Sequence, residues 1–152
     1  MYPSQHLILG TLFSLGLFII FPQVGLFGFV VIILATFFID VDHYLWYVYK
    51  KRDINLRNAY YWYIQKEKTR EHMPHSEYRK YKHEIMIFHG IEFWTVLALL
   101  AVYYNFFLYV FIGIMFHIFL DIAALTYNGR SFSCILCQTY NLSYNRNKKD
   151  LL

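Results

Sequence analysis

Asp40, Asp42 and His43 stand within four residues of one another at the end of an uncharged apolar run. An ionisable group at membrane depth is expensive and by default marks a functional site. Two carboxylates and an imidazole, with no Lys or Arg nearby, call for a cation. The same residue types recur in three other apolar runs: His6 in the first, His89 with Glu92 in the third, His117 with Asp121 in the fourth. Imidazole and carboxylate together suit Zn, Mn or Fe, while carboxylates alone lean towards Mg or Ca.

Spacing sorts these residues into roles. His117 and Asp121 are i, i+4, and both Asp40/His43 and His89/Glu92 are i, i+3, so each pair is expected to share a helix face. His6, Asp40, His43, His89, His117 and Asp121 are the expected metal ligands. Asp42 points away on a regular helix, which suits a group supporting a ligand from behind, a base, or a residue where the helix unwinds. Glu92 is expected as a ligand or a general base. Asp40, Asp42, Glu92 and Asp121 are four acids with no base in any apolar run. Unpaired, each would take up a proton or cost several kcal/mol. One to three divalent ions would neutralise the set.

The elements that must position them are apolar helices. The chain has 152 residues, enough for one domain, and is 58% hydrophobic, 22% aromatic and 16% charged, a composition that points to a membrane protein. The apolar residues fall in blocks, giving helices over about 5–21, 24–49, 85–104 and 106–125. Pro22-Gln23 and Asn105 mark the turns. Each apolar core needs flanking residues to reach the ~20 that a span requires. The expected fold is all-α: four spans arranged as two hairpins, with a basic loop over 50–84 and a polar tail over 126–152. The first run lacks a basic flank and leads straight into the second, so it is expected to be retained as a span rather than removed as a signal.

All 14 Lys/Arg lie in that loop or that tail. The positive-inside rule then places both segments and both termini in the cytoplasm of a cell-membrane protein. Depth follows by counting from the outer turns. His6 is 15 residues from Phe21, Asp40 is 16 from Val24, His89 is 15 from Tyr104, and Asp121 is 15 from Phe106. At a rise of ~1.5 Å per residue these positions form one layer roughly 22–24 Å from the outer face. A lone His on an apolar helix is ordinarily a hydrogen-bonded packing residue. A layer from four helices, with four acids and no base, calls for metal.

The remaining candidates read more plainly. His72, His75 and His83 are expected to be solvated loop residues, with His83 nearest the site at the mouth of the third helix. Cys134-x-x-Cys137 has zinc-like spacing but no second pair, and two cysteines make no disulfide framework. Trp46, Trp62 and the tyrosines suit an interfacial belt. The basic loop is expected to enforce topology, or to hold an anionic headgroup or phosphate.

The ordered set resembles the YdjM-like membrane-bound metal-dependent hydrolases. Those carry an N-terminal His, an Asp-Ile-Asp-His motif, a His-Arg-Gly-x-Thr-His-Ser segment and a late His-x-x-x-Asp. His6, Asp40-Val41-Asp42-His43 and His117-Ile118-Phe119-Leu120-Asp121 match the first, second and fourth. His89-Gly90-Ile91-Glu92 matches the third only in its first His and offers Glu92 where the family has Thr-His-Ser. The family is distantly similar to zinc-dependent phospholipases C and fungal single-strand nucleases, so the resemblance implies phosphoester hydrolysis with zinc. Expected partners are membrane lipids and a small-molecule or lipid phosphoester, ahead of nucleic acid. The alternatives are a non-catalytic metal-binding or transport protein, or a scaffold whose acidic layer fixes helix packing.

Overall fold

The computed structural model describes residues 3–71, 73–128 and 137–151; His72 and Cys134 lie outside them. Among the described residues every regular element is helical, and the β-type pairing is an isolated bridge between Tyr81 and Lys149. α1 (Pro3–Ile20) and α2 (Gly25–Phe38) arise from the first two apolar blocks, separated by a 3-10 turn at Pro22–Val24. Pro22 has no N–H to extend α1, and it opens the turn, where a missing donor costs nothing. α6 (Ile91–Tyr103) and α7 (Asn105–Tyr127) are separated at Tyr104, whose backbone is extended. α1 packs on α2, α6 on α7, and α7 also packs on α2 and α1.

The exterior of these helices is apolar. Ile20, Leu26 and Val102 are 69%, 70% and 78% exposed, while His6, Ser14, Thr36, His89 and His117 are buried. The buried apolar cluster is small: Ile39, Trp94, Leu97, Ile114 and Ile118. Pro22–Lys51 and Asn105–Tyr127 are long and apolar enough to cross a membrane, and α1 and α6 are shorter apolar helices.

Three features depart from the expected elements, and each repositions a site residue. First, the helix expected over 24–49 is interrupted at Ile39–Asp40, and α3 (Val41–Lys51) resumes after it. The backbone tightens there into i→i+3 bonds, with Asp42 N–H donating to Ile39 O (3.5 Å) and His43 N–H to Asp40 O (3.1 Å). Second, the segment expected as a loop over 50–84 contains α4 (Leu56–Glu71) and α5 (His75–Tyr78). Asn55 starts α4 by accepting from the backbone N–H of Arg57 (3.0 Å) and Asn58 (3.3 Å), ordinary N-cap chemistry.

Third, the helix expected from 85 begins only at Ile91. The N–H groups ahead of it are taken by side chains from other elements. His83 donates to Asn145 Oδ1 (2.8 Å), Met86 to Gln138 Oε1 (2.9 Å) and Phe88 to Asp42 Oδ2 (3.1 Å). His89 therefore sits in a separate 3-10 turn, Ile87–His89, and shares no helix face with Glu92. The two partners from the tail belong to α8 (Gln138–Tyr144) and the turn after it, which dock against residues 83–86.

One close approach fixes the level of the site. A Cβ at Gly113 would lie 2.6 Å from Ile32 O and 2.8 Å from Ala35 Cβ, so α7 meets α2 backbone to backbone. Thr36 lies at this crossing, donating its hydroxyl to Ile32 O (2.8 Å) and reaching Gly113 O at 3.2 Å.

Candidate metal centre

His117 and Asp121 leave α7 one turn apart, with Nε2 3.2 Å from Asp121 Oδ2. His117 Nδ1 is bonded to the Thr36 carbonyl at 2.8 Å. A carbonyl only accepts, so Nδ1 carries the proton and Nε2 presents its lone pair when the ring is neutral. His89 is fixed by the same logic. Its Nδ1 lies 3.0 Å from Asp42 Oδ2, and Asp42 is held in turn by the Phe88 N–H. The two Nε2 atoms thus point at each other, 3.4 Å apart. Two neutral imidazoles so oriented bring lone pair against lone pair in a buried site, and a shared cation removes that conflict.

Carboxylates complete the ring. Asp40 Oδ1 is 3.4 Å from His117 Nε2 and 3.9 Å from His89 Nε2, and Asp121 Oδ2 is 3.8 Å from His89 Nε2. An ion about 2.0 Å from tetrahedral ligands holds them about 3.3 Å from one another. The separations around His117 match that value, and those around His89 are slightly longer.

His6 adds a third imidazole from α1. Its Nε2 is 3.2 Å from Asp121 Oδ1, its ring stacks on His117 at 3.8 Å, and its buried Nδ1 has no partner. His43 lies on the other side, Nε2 3.6 Å from Asp40 Oδ1. Three triads, His6–Asp40–His117, Asp40–His43–His89 and His89–His117–Asp121, each bring one ligand atom per residue within 4.8 Å. They share members, so six residues from three helices (α1, α3 and α7), the break at Asp40 and the 3-10 turn at His89 form one cluster that could hold a metal ion. Among the described residues it is most open at His43, whose side chain is 35% exposed, against 2% for His89 and 0% for His117.

The structure brings together all six residues expected as ligands and places the other two candidates elsewhere. Asp42 supports His89 from behind, made possible by the break at Ile39–Asp40. Glu92 is exposed and turned towards the tail. It accepts from the Thr139 N–H (2.9 Å), the Thr139 hydroxyl (2.8 Å) and the Gln138 N–H (3.3 Å), anchoring the start of α8. His83 is buried outside the cluster, bonded to Asn141 Oδ1 (3.0 Å) and stacked on Tyr144 at 4.2 Å. Cys137 accepts from the Tyr140 N–H at 3.4 Å, another contact at the start of α8.

A second charged group adjoins the open side. Glu84 Oε2 is 3.4 Å from His43 Nδ1, and Glu84 Oε1 takes Lys66 Nζ at 2.5 Å and Arg70 Nη2 at 2.7 Å. Burial pushes the Glu84 carboxyl up, but Arg70 and Lys66 override it and hold it well below the ordinary carboxylate range. Tyr63 adds a bond to His43 O at 2.8 Å. Tyr63, Lys66 and Arg70 are spaced i, i+3, i+7, one face of α4, and that spacing was the signal available in the sequence. The Thr36 carbonyl had none, because any residue type can supply it.

Compared with known proteins, the chain matches no family model, no curated protein and no solved structure.

Proposed function

We propose that the chain is an integral membrane metal-dependent hydrolase of phosphate esters, with zinc its first-choice ion. The observation that carries the metal is the facing pair of His89 and His117 Nε2 atoms, 3.4 Å apart, each oriented by an acceptor on the other ring nitrogen. The membrane reading is supported by the apolar exterior: only 28% of each long apolar window is buried, whereas a core helix of a water-soluble domain is mostly covered. Four spans with both termini in the cytoplasm accord with the confinement of every Lys and Arg to the middle segment and the tail. The ordered motifs shared with the YdjM-like hydrolases favour the phosphoester class.

A bound divalent ion would bring a water towards a pKa of ~7 and neutralise charge on a phosphoryl oxygen. The protein's own groups do the rest. Thr36 O and Asp42 fix the His117 and His89 rings, Asp121 joins α1 to α7 through His6, and Asp40 sits between His117 and His43. His43 stands where a substrate would enter, and Glu84 beside its Nδ1 would orient Nε2 towards the ion. Asp42 is too engaged with His89 to serve as a base. Transport is less well supported, because Ser14, buried nearer the Pro22 turn, gives its hydroxyl to Phe29 O (2.9 Å) rather than to a path.

The test is hydrolysis of phosphomonoesters, phosphodiesters and phospholipids by the purified protein in micelles, with and without added zinc. Activity that needs metal and is lost in His117→Ala and His43→Ala supports the proposal. Full metal occupancy with no turnover of any of the three classes would leave a metal protein that is not this hydrolase.

A further inference from the structure

Beside the cluster, but separate from it, three lysines converge from three elements. Lys50 comes from the last turn of α3, Lys66 from α4, and Lys82 from the extended stretch before α6. With Trp46, Trp62 and Glu84 they line a cavity. Lys66 lies 4.4 Å over the Trp62 ring and Lys50 5.9 Å over Trp46. The buried indole N–H of Trp62 has no partner. What fills the cavity is the segment at Asp150–Leu151. Asp150 ion-pairs with Lys50, lies 3.4 Å from Lys82 Nζ, and together with Leu151 leaves only about 10 Å³ open, the space of one water.

The seating is light. Two backbone bonds hold the segment, Lys82 N–H to Lys149 O (2.8 Å) and Lys149 N–H to Lys80 O (3.2 Å), in an isolated bridge. Each contributes about 1 kcal/mol net. Asp150 itself is 45% exposed. Glu84 already engages Lys66 and Arg70, so withdrawing Asp150 leaves Lys50 and Lys82 facing each other across a Trp-walled cavity with an anion missing.

We propose that this cavity is a binding site for a phosphate group, and that Asp150 occupies it in cis as a displaceable stand-in. Two or three ammonium groups and an indole N–H suit a tetrahedral polyanion better than one carboxylate, because they can donate to several oxygens at once. The phosphate comes either free in solution or on an anionic lipid headgroup, and the site needs no metal.

The test uses the full-length protein in nanodiscs of zwitterionic lipid with EDTA present, so that metal-bound phosphate does not contribute. Inorganic phosphate is titrated while tryptophan fluorescence is followed. Asp150→Asn is expected to bind phosphate about tenfold more tightly than the parent, the gain from removing a competitor seated about nine-tenths of the time. Lys50→Ala with Lys82→Ala in the same background is expected to abolish binding. In a second arm, nanodiscs containing phosphatidic acid replace the phosphate, and hydrogen exchange at the Lys149 amide reports release of the tail. Gain in the first arm assigns free phosphate, and release in the second alone assigns the headgroup. Equal behaviour of parent and Asp150→Asn in both arms overturns the proposal, as does binding that survives loss of both lysines.

Discussion

Replacing Asp42 by Asn separates the role of charge from the role of shape behind His89. Asp42 Oδ2 accepts from His89 Nδ1 (3.0 Å) and Phe88 N–H (3.1 Å), while its buried Oδ1 has no partner. An amide fits this environment: its oxygen keeps both bonds and its nitrogen takes the place of the idle oxygen. What is lost is the charge on the acceptor. A hydrogen bond to a charged group contributes about 1 kcal/mol more than a neutral one. Asp42→Asn should therefore weaken zinc binding about tenfold, or about 1.4 kcal/mol, at the lower end of the 10–100-fold range usual for such outer partners. The metal-free protein should melt within a few degrees of the parent, because removing a buried charge offsets the amide hydrogens placed where Oδ1 has no partner. Asp42→Ala should behave differently, stranding two buried donors at roughly 1–3 kcal/mol each and lowering the melting temperature without metal. Competition against a fluorescent zinc chelator in micelles, with parallel melting curves, reads both quantities. Zinc affinity of Asp42→Asn within about twofold of the parent would refute the reasoning that Asp42 acts through His89.

Gly113→Ala should cost about 1–3 kcal/mol and also weaken metal binding. Its Cβ would press on Ile32 O at 2.6 Å and move Thr36 away from His117. Thermal unfolding checks the first effect and chelator competition the second. Glu92→Gln should loosen α8 while leaving metal content unchanged, read as faster hydrogen exchange over 138–144. Metal loss with α8 intact would restore Glu92 to the site. His83 gives a pH dependence. Burial, aided by Arg70 and Lys148, lowers its pKa, so the folded protein holds it neutral. Its contribution is present above the unfolded value of about 6.5 and is lost as pH falls below that. Docking of the tail should weaken between about pH 7 and pH 5, and His83→Gln should flatten that dependence.

The parts of the fold that were legible in the sequence are those set by long-range periodicity. The apolar blocks, the turn at Pro22 and the break near Asn105 follow from hydropathy alone. Counting back from those turns placed His6, Asp40, His89 and Asp121 at one level because a helix advances by a constant rise. The count worked for His89 even though it lies outside α6, since a short 3-10 turn lengthens the chain only slightly beyond the helical path. What the sequence hid depends on bonds between distant segments. The Glu92 carboxylate is claimed by the backbone of Thr139, and residues 83–88 are kept out of α6 by Asn145, Gln138 and Asp42. Hydropathy carries no trace of such bonds. Charge density also concealed α4: the segment over 50–84 carries ten Lys/Arg, and among them a regular spacing of Tyr63, Lys66 and Arg70 is easily overlooked.

The central claim is that six residues from distant parts of the sequence, His6, Asp40, His43, His89, His117 and Asp121, hold a metal, and elemental analysis tests it most directly. The parent protein, purified without chelators and then equilibrated with zinc, should retain at least about one ion per chain. His117→Ala should retain little, because it removes the nitrogen lying within 3.4 Å of His89, Asp40 and Asp121 alike. A parent that stays metal-free under those conditions, or a His117→Ala variant that keeps the parent's full complement, would contradict the account.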